Sequence, residues 1–262
     1  AHPDWVAADP DGSPRRHWSM PEAWVTCALG PYNFDYMTEV HREIVRRYDV
    51  QGIFSNRWAG HGICYCEHCR RNFHDATGYD VPLQQDPEDA AWRAYSRWRH
   101  DRLLDVARLW DKAILGTRHS ARYIPNSGGG ALSSLDMKTL ADMLPILIAD
   151  RQSRSGIQAP WASGKDAKEF RAAFGRKPIG GMFSVGLEER YRWKDSVQSE
   201  AELRIWVADQ IANGMRPWFT KFAGKIWDDR WLSVVEDIYT WHAQYDTYWR
   251  ARDPMATVGV VY

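Results

Sequence analysis

Only four cysteines occur in 262 residues, and 34 basic residues are balanced by 34 acidic ones, so formal net charge is zero. Without a basic stripe, neither a nucleic acid nor an anionic membrane is an expected partner. No apolar run approaches the roughly 18 residues that a membrane-spanning helix needs. No Gly-rich phosphate loop follows an expected strand, and no G-x-S-x-G elbow occurs, so Ser/His/Asp chemistry has no support. The chain opens on AHPDW without an initiator Met or a signal-peptide pattern, and closes on ATVGVVY, which reads as a strand cut in mid-course. A piece of a longer protein is the expectation.

What the chain has in excess is tryptophan: 15 residues, with aromatics at 13% and apolar residues at 44%. That is enough for a core of one large domain or two small ones. Most of these rings are expected in the core and the helix–sheet seams. Others are flat, rigid platforms suited to the apolar faces of sugar rings.

Short β-rich runs alternate with long amphipathic helices, which argues for parallel strands joined by helical crossovers. Helices are expected at about Tyr36–Tyr48, Pro87–Leu115, Met137–Leu144, Lys165–Phe174, across SEAELRIWVADQIANG and at about Asp229–Tyr248. Ser199 and Glu202 make a capping box at the fifth of these, and Gly214 suits its left-handed end. Strands are expected at Val50–Ser55, Ala121–Pro125, Ile146–Ala149, Ile179–Val185 and Pro217–Phe222, with NSGGG at 126–130 as punctuation. Five strand–helix units fit an α/β fold, a (β/α)₈ TIM barrel represented by strands 4 to 8. An open doubly wound sheet is the alternative.

Three of the four cysteines crowd into GICYCEHC. Cys64, Cys66 and Cys69 form C-x-C-x-x-C just past the first strand, a knuckle that aims three thiolates at one point. Cys27 is the remaining thiol, and a tetrahedral Zn²⁺ needs four ligands. A structural zinc site of Cys27, Cys64, Cys66 and Cys69 uses every cysteine and leaves no open position for catalysis. The alternatives are disulfides, strained in so short a knuckle, or reduced core cysteines; His61 and His68 lie close enough to replace one thiol. Unoxidised cysteines favour a cytoplasmic setting, with the compartment otherwise unknown.

The stretches HPDW, DPDGSPRRHW, TCALGPYNFDYMTEVHREIVRRY, GIFSNRW and CYCEHCRRNF resemble the middle of the family 42 β-galactosidases and the hypothetical glycosyl hydrolase 6 type. The likeness continues through SEAELRIWVADQIANG and PWFTKF, similar to the seventh helix and eighth strand. It implies a (β/α)₈ barrel over 1–254, zinc on one cysteine after the third strand and three after the fourth, and a carbohydrate substrate. ATVGVVY is similar to the first strand of a flavodoxin-like trimerisation domain, which would begin at 255–262 and make the protein a homo-oligomer, a trimer by that likeness. The knuckle is the specific part of the resemblance.

Barrel chemistry sits just past the carboxyl ends of the strands, and glycoside hydrolysis usually uses two carboxyl groups there. In the family the first exit carries Asn-Glu, the Glu being the acid; Asn56 matches, but Arg57 stands where the carboxylate would. The family nucleophile falls at about Phe183, a second departure. Other carboxyls are available. Asp150 ends the third strand, with an ion pair to a nearby Arg as the alternative to function. Glu188, Glu189 and Asp195 follow the fourth, with a solvated loop as theirs. The expected glycosidase uses Asp150 with Glu188 or Asp195 as its working carboxyls. Asn56, Arg57, Asn126, Arg151 and Lys221 are expected to contact the sugar, with Trp58, Trp193 and Trp218 as stacking platforms. Arg57 suits a carboxylated sugar, because Arg recognises planar anions in a bidentate way. A binding or inactive barrel that has lost the family acid and nucleophile is the alternative.

Overall fold

The computed structural model describes residues 2–18, 20–128, 135–150, 158–186, 197–221, 228–250, 253 and 255–259. The fold is α/β, with parallel strands linked by helices, as the alternation implies. The chain divides into two compact units, Ala1–Asn126 with Ser134–Leu144, and Ser127–Ser133 with Pro145–Tyr262.

In the first unit, α1 (Met37–Arg47) leads into β1 (Gly52–Ser55), then α2 (Glu67–Thr77), α3 (Ala90–Thr117), β2 (Arg122–Gly128) and α4 (Met137–Met143). Strands β1 and β2 pair in parallel, with Ile53 opposite Tyr123 and Ser55 opposite Pro125. A π-helical turn at Tyr32–Tyr36 runs directly into α1. Asp89 starts the 28-residue α3 by accepting from the Ala91 N–H at 2.9 Å, the capping role its short carboxylate suits. The core is aromatic: Phe73, Tyr95, Trp110 and Tyr123 are each at most 1% exposed. Trp110 and Tyr123 meet edge-on with ring centres 5.3 Å apart, the arrangement their quadrupoles favour. Ahead of α1, isolated antiparallel bridges (Ala8 to Pro14, Arg16 to Trp24, Val6 to Thr26) fold the N-terminal segment into an irregular ribbon.

The second unit contains β3 (Leu147–Asp150), α5 (Ala162–Phe174), β4 (Ile179–Ser184), α6 (Glu200–Ala212), β5 (Met215–Thr220), α7 (Trp231–Gln244) and α8 (Asp246–Arg250). Strands β3, β4 and β5 pair in parallel, with Asp150 opposite Met182 and Met182 opposite Trp218. Strand residues alternate between faces, and the two faces differ here. Phe183 and Val185 pack with Leu203, Val207 and Ile211 of α6 and with Val234 and Ile238 of α7. Ile148, Asp150, Met182, Ser184, Trp218 and Thr220 therefore share the opposite face. The expected capping box is present, with the Glu202 N–H donating to Ser199 and the Glu202 carboxylate accepting from the Ser199 N–H. Gly214 takes φ +98° just past α6.

Two expectations are corrected. Asn126–Gly128 extend β2 rather than forming a turn; Asn126 and Ser127 are 9% and 0% exposed, and burial holds the chain extended past the glycine signal. The last long helix divides at Tyr245 into α7 and α8, where Asp246 accepts from Arg216 at 3.1 Å and also pairs with Arg250. Of the expected strand at 255–262, residues 255–259 are described, and they pair with no strand among the described residues.

The N-terminal turn of α5 fits tightly against α6. The Gly164 N–H donates to the Asp209 carboxylate, and a Cβ at 164 would overlap Asp209 and Asn213. Gly164→Ala is expected to destabilise the protein by about 1–3 kcal/mol, read as a lowered denaturation midpoint with an unchanged m-value.

Candidate functional site

The four cysteines are all buried, and none forms a disulfide. Their sulfurs lie within 4.8 Å of one another, with Cys27 to Cys69 at 3.5 Å and Cys66 to Cys27 at 3.6 Å. An ion bound tetrahedrally at about 2.3 Å separates its sulfur ligands by about 3.8 Å, so the donor set fits a metal after small adjustments. Cys66 precedes α2 and Cys69 lies in its first turn, which turns both sulfurs toward Cys27.

The local electrostatics agree with this fit. Hydrogen bonding to Cys64 holds the Cys27 thiol well above its ordinary pKa, and contact with Cys27 does the same for Cys69. Contact with Cys27 lowers the Cys64 and Cys66 thiols below their ordinary values. A divalent cation is what would let all four ionise together.

Just past β1, the segment from Asn56 to Ile63 is fixed mainly through its carbonyls. The Trp58 carbonyl accepts from Asn33 at 3.0 Å, Ala59 from Arg99 at 2.9 Å, His61 from Arg15 at 2.8 Å and Ile63 from Arg15 at 2.6 Å. Asn126 donates to the Asn56 side-chain oxygen at 2.7 Å, joining the exit of β1 to β2. Arg57 is exposed and adopts φ +53°, the one non-glycine residue in the left-handed region among those described. Trp58 departs from its expected role. It is 4% exposed, its Nε1–H donates to the Asn126 carbonyl at 3.1 Å, and its ring packs near Trp110 and Tyr123. A stacking platform needs an open face, and this ring has none.

In the second unit, Asp150 ends β3 on the face away from α6, half-buried, with Trp218 on the same face two strands away, about 10 Å across the sheet. Phe183 faces α6 and packs near Trp206 and Phe219. The position at which the resemblance looks for a nucleophile thus points into the helix-facing core, and Met182 and Ser184 are its inward neighbours. Lys221 follows β5 directly and is half-buried. Arg151, Glu188, Glu189, Trp193 and Asp195 lie outside the described residues, so their distances to Asp150 do too.

Several contributing residues had little signal in the sequence. Arg15 and Arg99 tie down carbonyls across dozens of positions, which no local pattern announces. Asp228 is a further carboxylate near Lys221. The Arg230 guanidinium beside it holds its carboxyl below the usual range, with Lys221 adding to the effect. That favours a role as a carboxylate rather than as a proton donor. Gln198 stitches the return to β4, donating to the Ser184 carbonyl at 2.8 Å.

No protein-family model matches the chain, and no curated protein matches it in sequence. Solved structures do match. The chain aligns over 94% of its length with 35% of an α-L-fucosidase isoenzyme 2 from Paenibacillus thiaminolyticus, at TM-score 0.69 and 18% identity. It is similar over 84% of its length to 38% of a β-galactosidase from Bacillus circulans sp. alkalophilus, at TM-score 0.67 and 17% identity. A β-galactosidase from Rahnella sp. R3 gives TM-score 0.70 and 13% identity over 97% of this chain and 48% of that one. The chain thus spans less than half the length of these proteins. At these identities the likeness shows the fold, which is part of a (β/α) barrel. Among the described residues no helix is long and apolar enough to cross a membrane.

Beneath β1 and β2, His41 is 1% exposed, with Nε2 3.4 Å from the Ser55 hydroxyl and its ring edge-on to Trp110. Burial lowers its pKa to about 4, from 6.5. The unfolded chain therefore takes the proton first as pH falls. The stability present above pH 6.5 is lost progressively down to about pH 4, amounting to about 2–3 kcal/mol. Chemical denaturation from pH 7.5 to 4 is expected to show this loss, and His41→Gln is expected to flatten it.

Proposed function

We propose that the chain is the catalytic-barrel part of a glycoside hydrolase that cleaves an O-glycosidic bond with paired carboxylates. One observation carries this reading: Asp150 stands at the carboxyl end of a parallel strand, on the face away from the helices and shared with Trp218. That is where barrel enzymes keep their chemistry. The likeness in fold to a fucosidase and to β-galactosidases supports a carbohydrate as the substrate class. Asp150 serves as one working carboxyl and Glu188 or Asp195 as its partner. The general acid must be kept protonated by burial or a like charge, while the second group stays ionised as nucleophile or base. Trp218 and Trp193 offer flat faces to the sugar. Asn56, Arg57, Asn126, Arg151 and Lys221 supply hydrogen bonds and charge.

In this reading the cysteine cluster holds zinc, whose preference for four thiolates in a closed tetrahedron matches the donor set. The ion is structural: it fixes the chain between Cys27 and α2 and takes no part in bond cleavage. The barrel extends over 1–254, with 255–262 opening a following flavodoxin-like domain through which the protein forms a homo-oligomer, a trimer by the resemblance.

Asp150→Asn removes the carboxylate and keeps the shape. Against a panel of aryl glycosides it is expected to lower kcat by about 10²–10⁴-fold with the unfolding midpoint nearly unchanged. Turnover equal to the wild type would end the assignment. Turnover by neither protein, with sugar binding intact, would make this a binding barrel. Elemental analysis is expected to find one zinc per chain. Cys69→Ser is expected to lose that zinc and lower the unfolding midpoint by several degrees, since a lost metal site costs folding energy directly.

A further inference from the structure

Arg57 combines three features that a rim charge does not need. Its backbone sits at φ +53°, a conformation that costs a side-chain-bearing residue energy and persists only where the surroundings impose it. Here they do impose it. Asn56 is fixed by Asn126, while Trp58 is drawn into the core and bonded to the Asn126 carbonyl. The Arg57 carbonyl accepts from the Gly60 N–H at 3.2 Å. Gly60 itself takes φ +66°, and a Cβ there would meet Ala28. The residue between a rim-anchored Asn56 and a core-anchored Trp58 has to turn left-handed. A glycine would do so at no steric cost, yet the position holds an arginine.

The second feature is the side chain's support. The Arg57 guanidinium carbon stands 4.4 Å from the centre of the Trp18 ring, which is 60% exposed. Such a contact fixes the plane of the guanidinium and leaves its N–H edge available. The third feature is its company. Trp18 lies against His17, with ring centres 4.0 Å apart, and near His61 at 5.5 Å. Among the described residues Arg57 makes no ion pair, although most other arginines of this unit are paired with an acid or a carbonyl. Asn56 adds a side-chain amide one residue away.

We infer that Arg57, planted on Trp18 at the exit of β1, is a specificity residue that recognises the carboxylate of a uronic-acid sugar. Its two N–H groups would meet the two oxygens of a planar carboxylate side by side, a match that Lys cannot reproduce. This rests on the carbohydrate reading above and narrows it to acidic sugars. Recognition here is by binding alone, so it can be tested apart from turnover.

The experiment is calorimetric titration of the full protein with glucuronic- and galacturonic-acid oligosaccharides, their neutral counterparts and a sulfated neutral oligosaccharide. At least one uronate is expected to bind at least about 10-fold more tightly than its neutral counterpart. Arg57→Gln is expected to weaken that uronate about 10- to 100-fold and its neutral counterpart by a much smaller factor, and Arg57→Lys to recover only part of the loss. Arg57→Gly should abolish the preference while raising the unfolding midpoint by about 2 °C; that gain shows that the fold survives the loss of binding. The inference is overturned if no uronate is preferred, if the sulfated sugar binds equally well, or if Arg57→Gln weakens acidic and neutral sugars alike. Those results leave the glycosidase proposal standing, because that one is decided by turnover in Asp150→Asn.

Discussion

Between the end of β1 and the start of α2 the chain is pinned at both ends, and the candidate chemistry of the first unit follows from that confinement. At one end Trp58 is buried beside Trp110 and Tyr123. At the other, Cys64, Cys66 and Cys69 converge on Cys27. Between them Arg15 and Arg99 occupy the backbone carbonyls of Ala59, His61 and Ile63. A loop whose carbonyls are satisfied by distant side chains has little freedom left, since releasing any one strands a polar group. The left-handed Arg57 and the turn at Gly60 are consequences of this confinement.

The sulfur cluster and the strand exits have different physical jobs. Four thiolates in one buried space would repel one another, and a bound cation is what would let all four ionise. A four-sulfur set, once filled by an ion, leaves no open position for a substrate. The strand exits differ: Asn56 and Arg57 stand just past β1 and are exposed, and Asp150 ends β3 half-buried. In the second unit the separation is made by strand alternation. Phe183 is held in the helix-facing core with Leu203 and Val207, while its neighbours Met182 and Ser184 face the other way with Asp150 and Trp218. A carboxylate at 183 would be buried among apolar helices. Phe183 suits that apolar surrounding, which accounts for the departure from the pattern that the resemblance suggests.

Much of the architecture was legible because it rests on local rules. The period of apolar residues marks α1, α3, α5 and α6, the Ser199–Glu202 box marks where α6 begins, and β-branched or apolar runs mark all five strands. The grouping of the cysteines was legible from C-x-C-x-x-C and one remaining thiol. Less legible were the continuation of β2 through Asn126–Gly128 and the break at Tyr245, where burial and an ion pair between distant residues override local preference.

The sequence by itself determined the element order, the grouping of the cysteines and the residue types at each strand exit, because spacing along one chain is enough to set them. Tertiary structure decided which of those residues are accessible. It buried Trp58, exposed Trp18 beneath Arg57 and turned Phe183 away from Asp150's side of the sheet. Exposure depends on what packs from elsewhere in the chain, and a contact such as Trp58 with Asn126, 68 positions apart, has no local signature.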